Sequence, residues 1–215
     1  MPAANLMPAF LRAFRVNELG SASPYQLIFA AKGSAGASFG AMQGDLAAGQ
    51  ANVTKTFHDC LAAAGVSDDK IVTLTAKLSV HLLGNPLSAA DTKLVNNALL
   101  ASKNLVDAMD QQILKGVMKD VDKCISKASG AGRSIEPEAL LYIGLWINMS
   151  GPPTKLLKWL QGDDPQLPNP IPPAGDGVDV PAIQTYLQAT SYYISNPGNW
   201  PHMVESVDAG APLLP

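Results

Sequence analysis

Two cysteines in 215 residues, Cys60 and Cys124, are too few for a disulfide framework. Both fall within helical patterns, where a buried free thiol acting as a small core residue is the expected state. Basic residues are also scarce. Fifteen Lys and Arg against eighteen Asp and Glu leave a formal charge of −3. That argues against nucleic acid as the main partner, because phosphate binding needs clustered cations. The one regular series, Lys115, Lys119, Lys123 and Lys127, lies along a single helix face with Asp120 and Asp122 interleaved. It reads as a solvated face. No apolar run reaches the roughly eighteen residues a membrane span needs, so stable membrane insertion is not expected. The first residues lack a basic start followed by a long apolar core, since Pro8, Arg12 and Arg15 interrupt it. The expectation is synthesis in the cytoplasm, with any action elsewhere following release or delivery.

Chemical signatures are missing as well. His58, His81 and His202 show no ligand spacing with one another or with the cysteines, and no metal or other cofactor is expected. No nucleophile elbow, P-loop, dinucleotide fingerprint or internal repeat occurs. What is present is an apolar fraction of 47% with only 15% charged residues, which predicts one globular domain over residues 1–215.

Helical spacing dominates the chain. Residues 3–17 carry Leu6, Phe10, Leu11 and Phe14 at helical intervals. A second helix is expected over 52–64, ending at Gly65. A third opens at Ser67 with Asp68 and Asp69 in its first turn. Ser88 and Asp91 resemble a capping box for a helix running through Leu99. Residues 104–129 form the longest candidate, with Leu105, Met109, Ile113, Val117 and Val121 on one stripe. Residues 138–149 are apolar nearly all round, as expected of a central core helix. Short and final helices are expected over 154–161 and 180–195. The prolines at 165, 168, 170, 172 and 173 make 163–179 a loop, and 196–215 reads as an irregular tail. The one strand candidate is 25–31, the first arm of a small hairpin.

The richest stretch is 34–43, Ser-Ala-Gly-Ala-Ser-Phe-Gly-Ala-Met-Gln, read together with Glu18. Glu18 closes the first helix, with Gly20 immediately beyond. The negative end of the helix dipole disfavours a further negative charge there. A partly apolar setting would push the carboxyl pKa the same way, toward a proton donor at neutral pH. A single acid before a small-residue loop suits glycosidic bond cleavage.

This arrangement resembles the lysozyme-like superfamily, and within it the soluble lytic transglycosylases and goose-type lysozymes. Those families have a helix ending in a catalytic Glu, then a small-residue stretch closing in Gly-Leu-Met-Gln. Here Glu18 and Gly40-Ala-Met-Gln43 take those positions. A later Ala-Tyr-Asn-Ala-Gly is similar to Ile147-Asn-Met-Ser-Gly151 at the end of the most apolar helix. Leu19 stands where the family has Ser, and Ile147 where it has Tyr. The resemblance implies a mainly α, lysozyme-like domain with a small β-hairpin beside the catalytic helix. It implies cleavage of a β-1,4-linked amino-sugar polymer, foremost peptidoglycan, by an enzyme reaching the cell wall after release or delivery. Chitin- or chitosan-cleaving enzymes and a non-catalytic helical module are the alternatives.

Glu18 is then the general acid, against a plain reading as an exposed helix-terminal glutamate. Asp45 is either a second catalytic carboxylate or an N-cap for the residues after it. Ser34, Ser38 and Gln43 are candidate sugar contacts, against a reading as turn chemistry. Asn148 would hold either an acetamido group or a backbone carbonyl. Tyr142, six residues earlier, is a further candidate contact. Tyr192 and Tyr193 could line a sugar groove or belong to the core, whereas Trp146 and Trp159 read as core.

Overall fold

The structure, a computed structural model, describes residues 3–29, 35–81, 83–151 and 153–215. It is mainly α-helical with small β elements. The helices are α1 (Met7–Leu19), α2 (Ala51–Ala63), α3 (Asp68–Leu78), α4 (Ala89–Ala101) and α5 (Lys103–Gly130), followed by α6 (Pro137–Ser150), α7 (Thr154–Gln161), α8 (Val180–Gln188), α9 (Ser191–Ser195) and α10 (Trp200–Gly210). Strands β1 (Ile28–Phe29), β2 (Ala37–Phe39) and β3 (Gly44–Asp45) form an antiparallel sheet in that order. Strands β4 (Ser134–Ile135) and β5 (Gly177–Val178) form a separate parallel pair. Among the described residues no helix is long and apolar enough to cross a membrane.

The chain divides into two compact units: residues 18–113, and residues 1–17 with 114–215. In the 18–113 unit, α2 packs against α4 and α3. Its core gathers Leu46, Phe57, Leu61, Leu74, Leu78, Leu99 and Val106 with Phe39 of β2. The Phe39 and Phe57 rings lie 6.0 Å apart. Cys60 sits in this core as a buried free thiol. The capping chemistry is local. The Ser88 hydroxyl accepts the Asp91 amide at 3.1 Å, starting α4.

In the other unit α6 is central, with every residue from Ala139 to Ile147 buried. It packs against α8 and α10. Gly144 permits its closest approach to α1: a Cβ there would overlap the Phe10 ring. Cys124, also a buried free thiol, lies in this unit.

Two expectations are corrected here. Residues 180–195 are not one helix, because Thr190 interrupts them. Its amide and its hydroxyl both donate to the Leu187 carbonyl, at 3.0 and 2.6 Å. A side chain that bonds its own local backbone competes with the helical ladder. Residues 196–215 are not irregular. Residues Pro197–Asn199 and Ala211–Leu213 form 3₁₀ turns on either side of α10. Pro201 stands in the first turn of α10, where its missing N–H costs nothing. Met203, Ser206, Val207 and Gly210 then give α10 a buried face. The proline-rich stretch is a loop ending in β5, and it is tied down. Trp159 Nε1 donates to the Pro172 carbonyl at 3.0 Å, and Arg133 Nε to the Ala174 carbonyl at 2.8 Å.

Candidate functional site

Glu18 is the penultimate residue of α1 and is half-buried. The helix stops because Gly20 takes a φ of 55°, and the Ala22 amide closes the end on the Leu19 carbonyl at 2.9 Å. The chain then runs through Pro24 into β1. The Gly40 amide donates to the Pro24 carbonyl at 2.8 Å. The turn carrying the Gly-Ala-Met-Gln motif is thereby fastened to the segment that leaves the Glu18 helix.

The turn itself joins β2 to β3 and is unusually constrained. Gly40 has a φ of 84° and Gln43, with a side chain, a φ of 49°. Positive φ costs a non-glycine residue of order 1 kcal/mol. Gln43 offsets it by donating twice to the Gly40 carbonyl, from its amide at 3.2 Å and from Nε2 at 3.0 Å. The turn rests on Asp110 of α5. One carboxylate oxygen, Oδ2, accepts the Ala41 amide at 2.7 Å, and Oδ1 accepts the Met42 amide at 3.0 Å. Asp110 is only 3% exposed. Burial is the main force on its pKa, raising it to about 6; the two amide bonds oppose the rise and Asp107 adds to it. Gly40 is required by space as well as by φ, because a Cβ there would collide with Asp110 Oδ1. The motif reading did not include Asp110. Its signal is a carboxylate on the buried stripe of α5 beside Val106 and Met109, where an acid needs a partner.

Asp45 and Ser38 are cross-strand partners in β3 and β2. Asp45 Oδ1 accepts the amides of Gly36 at 2.9 Å and Ala47 at 2.8 Å, capping the 3₁₀ turn Leu46–Ala48. Ser38 is buried within the sheet. Ser34 lies outside the described residues. Glu18, Ser38, Gln43 and Asp45 thus share the 18–113 unit.

Tyr142 and Asn148 belong to the other unit, both on α6. Tyr142 is 1% exposed and its ring stacks on Trp200 at 6.0 Å. Gln184 Nε2 donates to its hydroxyl at 2.8 Å, and burial is the first cause raising its pKa. This is a core position. Asn148 is half-buried in the last turn of α6. Gly151 ends that helix at a φ of 74°, its amide on the Ile147 carbonyl at 2.9 Å.

No family model, curated protein sequence or solved structure matches the chain. A half-buried carboxyl at a helix C-terminus can serve as an acid. Beside it along the chain stands a rigid turn whose own polar groups are largely engaged. Among the described residues no cluster of His, Cys, Asp and Glu is arranged to hold a metal.

Proposed function

We propose that the chain cleaves a β-1,4-linked amino-sugar polymer, foremost peptidoglycan, with Glu18 as the general acid. The observation that carries this reading is the order and tethering of elements around Glu18. A helix ends in the acid, a three-stranded antiparallel sheet follows, and its β2–β3 turn is bonded through Gly40 to Pro24 just beyond that helix. The same order of helix, acid, small-residue sheet and Gly-x-Met-Gln turn underlies the resemblance to lytic transglycosylases. Glu18 protonates the glycosidic oxygen as an oxocarbenium-like transition state develops. Asp45 is engaged by two backbone amides, which favours Glu18 as the sole acid-base group. Glu18 then takes a proton from the sugar 6-hydroxyl while the substrate's N-acetyl group assists, giving a 1,6-anhydro end. Action on a wall would follow release or delivery of the chain.

One observation favours a second reading, a non-catalytic helical module. Gln43 spends its side chain closing its own turn, and Asp45 spends its carboxylate on a cap. Both are explained without a substrate.

Incubation of the protein and its Glu18→Gln variant with peptidoglycan sacculi, followed by mass spectrometry, separates the readings. The expected result is anhydro-muropeptides from the wild type, with release slowed at least about a hundredfold in the variant, the usual contribution of a general acid. Reducing-end products would return Asp45 to the role of second carboxylate. Absence of release from sacculi, chitin and chitosan alike would leave the non-catalytic module.

A further inference from the structure

The 1–17/114–215 unit contains a groove of about 280 Å³, at the small end of the roughly 300–1,000 Å³ range of ligand pockets. Its walls come from the end of α6, the start of α7 and the α8–α9 junction. Two aromatic rings in contact with each other belong to its lining. Trp146 is 9% exposed, and Tyr192 stands edge-on to it with ring centres 5.8 Å apart. Tyr192 is not free to swing. Tyr193 packs perpendicular to it at 5.0 Å, and Asn199 Nδ2 donates to its hydroxyl at 2.8 Å.

The polar groups around these rings select the ligand. Ser150 donates its hydroxyl proton to the Trp146 carbonyl at 2.8 Å, and Thr190 donates its own to the Leu187 carbonyl at 2.6 Å. With those protons spent, both hydroxyls present acceptor lone pairs. Tyr192, whose oxygen already accepts from Asn199, has its proton to donate. Lys155 also lines the groove, with its ammonium anchored on the Gln166 carbonyl at 2.9 Å. Among the described residues no carboxylate lines the groove. A carboxylate has no proton to give Ser150 and Thr190, and a phosphate, even when protonated, has no C–H bonds to lay against the rings. A hydrocarbon has neither donors nor acceptors. A polyol ring satisfies both kinds of group and lays its weakly positive C–H bonds against the electron-rich rings.

We propose that this groove binds a single pyranose ring, packed against Tyr192 and Trp146, with its hydroxyls donating to Ser150 and Thr190. The site does not depend on Glu18, because a monosaccharide has no glycosidic bond to cleave. The test is titration of the whole protein with N-acetylglucosamine, with glucose and with inorganic phosphate, followed by NMR or calorimetry. The expected dissociation constant for at least one sugar is on the order of 1 mM. Tyr192→Ala should weaken binding at least tenfold, while Tyr192→Phe, which keeps the ring, stays within about threefold. Ser150→Ala, at the exposed rim, should weaken it about threefold and answers the case in which Tyr192→Ala does not fold. Binding of phosphate without either sugar, silence from both sugars up to about 20 mM, or sugar binding indifferent to these variants would each overturn the proposal.

Discussion

Asp110 shows how one residue can hold a motif in shape without belonging to it. Its carboxylate is buried among apolar neighbours and is satisfied by two backbone amides of the turn it supports. Because burial raises its pKa to about 6 in the fold, against about 3.9 in an unfolded chain, protonation favours the folded state. The stabilisation is fully present below about pH 4 and is lost as pH rises through about 6, an effect of order 3 kcal/mol. Urea unfolding from pH 4 to pH 7 should therefore show a downward trend with rising pH in the wild type. Asp110→Asn, which cannot titrate, should remove that component of the trend; parallel pH profiles for the two proteins would rule it out. The clamp was invisible to motif reading because nothing local marks it. Asp110 lies almost seventy positions from the amides it holds, and only a carboxylate on a buried stripe hints at its role.

At the scale of elements, Gly144 decides how α6 packs. In an ordinary helix interior, replacing glycine with alanine adds about 1 kcal/mol of stability. Here the added methyl would overlap the Phe10 ring, and overpacking of this kind costs about 1–3 kcal/mol. Gly144→Ala is thus expected to lower the melting temperature, and a rise would show that Phe10 moves aside freely. Helix positions were largely readable from the chain, because periodicity and capping are local. Residues 154–161 form α7 as expected, and Ser88 caps α4 through the Asp91 amide. The errors have equally local causes. Thr190 carries the periodicity of a helix but bonds back to Leu187, so α8 and α9 separate. The prolines at 197 and 201 masked α10, whose Met203 and Val207 face the core. The candidate site was harder to read. Tyr142 and Asn148 share a helix, yet the first is sealed in the core and the second is half-buried, a difference set by packing that spacing alone does not encode.

At the scale of the whole molecule, the division into units has an unusual position. Domain boundaries commonly fall in flexible linkers, but here both lie within helices, one near the end of α1 and one inside α5. A helix propagates order residue by residue once formed, and α1 and α5 each run without a break through one of these positions. The three tryptophans, Trp146, Trp159 and Trp200, all belong to the 1–17/114–215 unit. Indole fluorescence therefore reports on that unit alone, whereas far-UV dichroism reports on both. The two signals should follow a single coincident transition in denaturant; separated midpoints would mean that the units unfold independently. The buried thiols add a consequence of another kind. Burial raises the Cys60 pKa to about 11 and the Cys124 pKa to about 12. Disulfide exchange requires the thiolate, and at neutral pH the folded chain offers essentially none. For as long as the fold holds, then, both thiols stay out of disulfide chemistry, and the redox potential of the surroundings has no covalent grip on the chain.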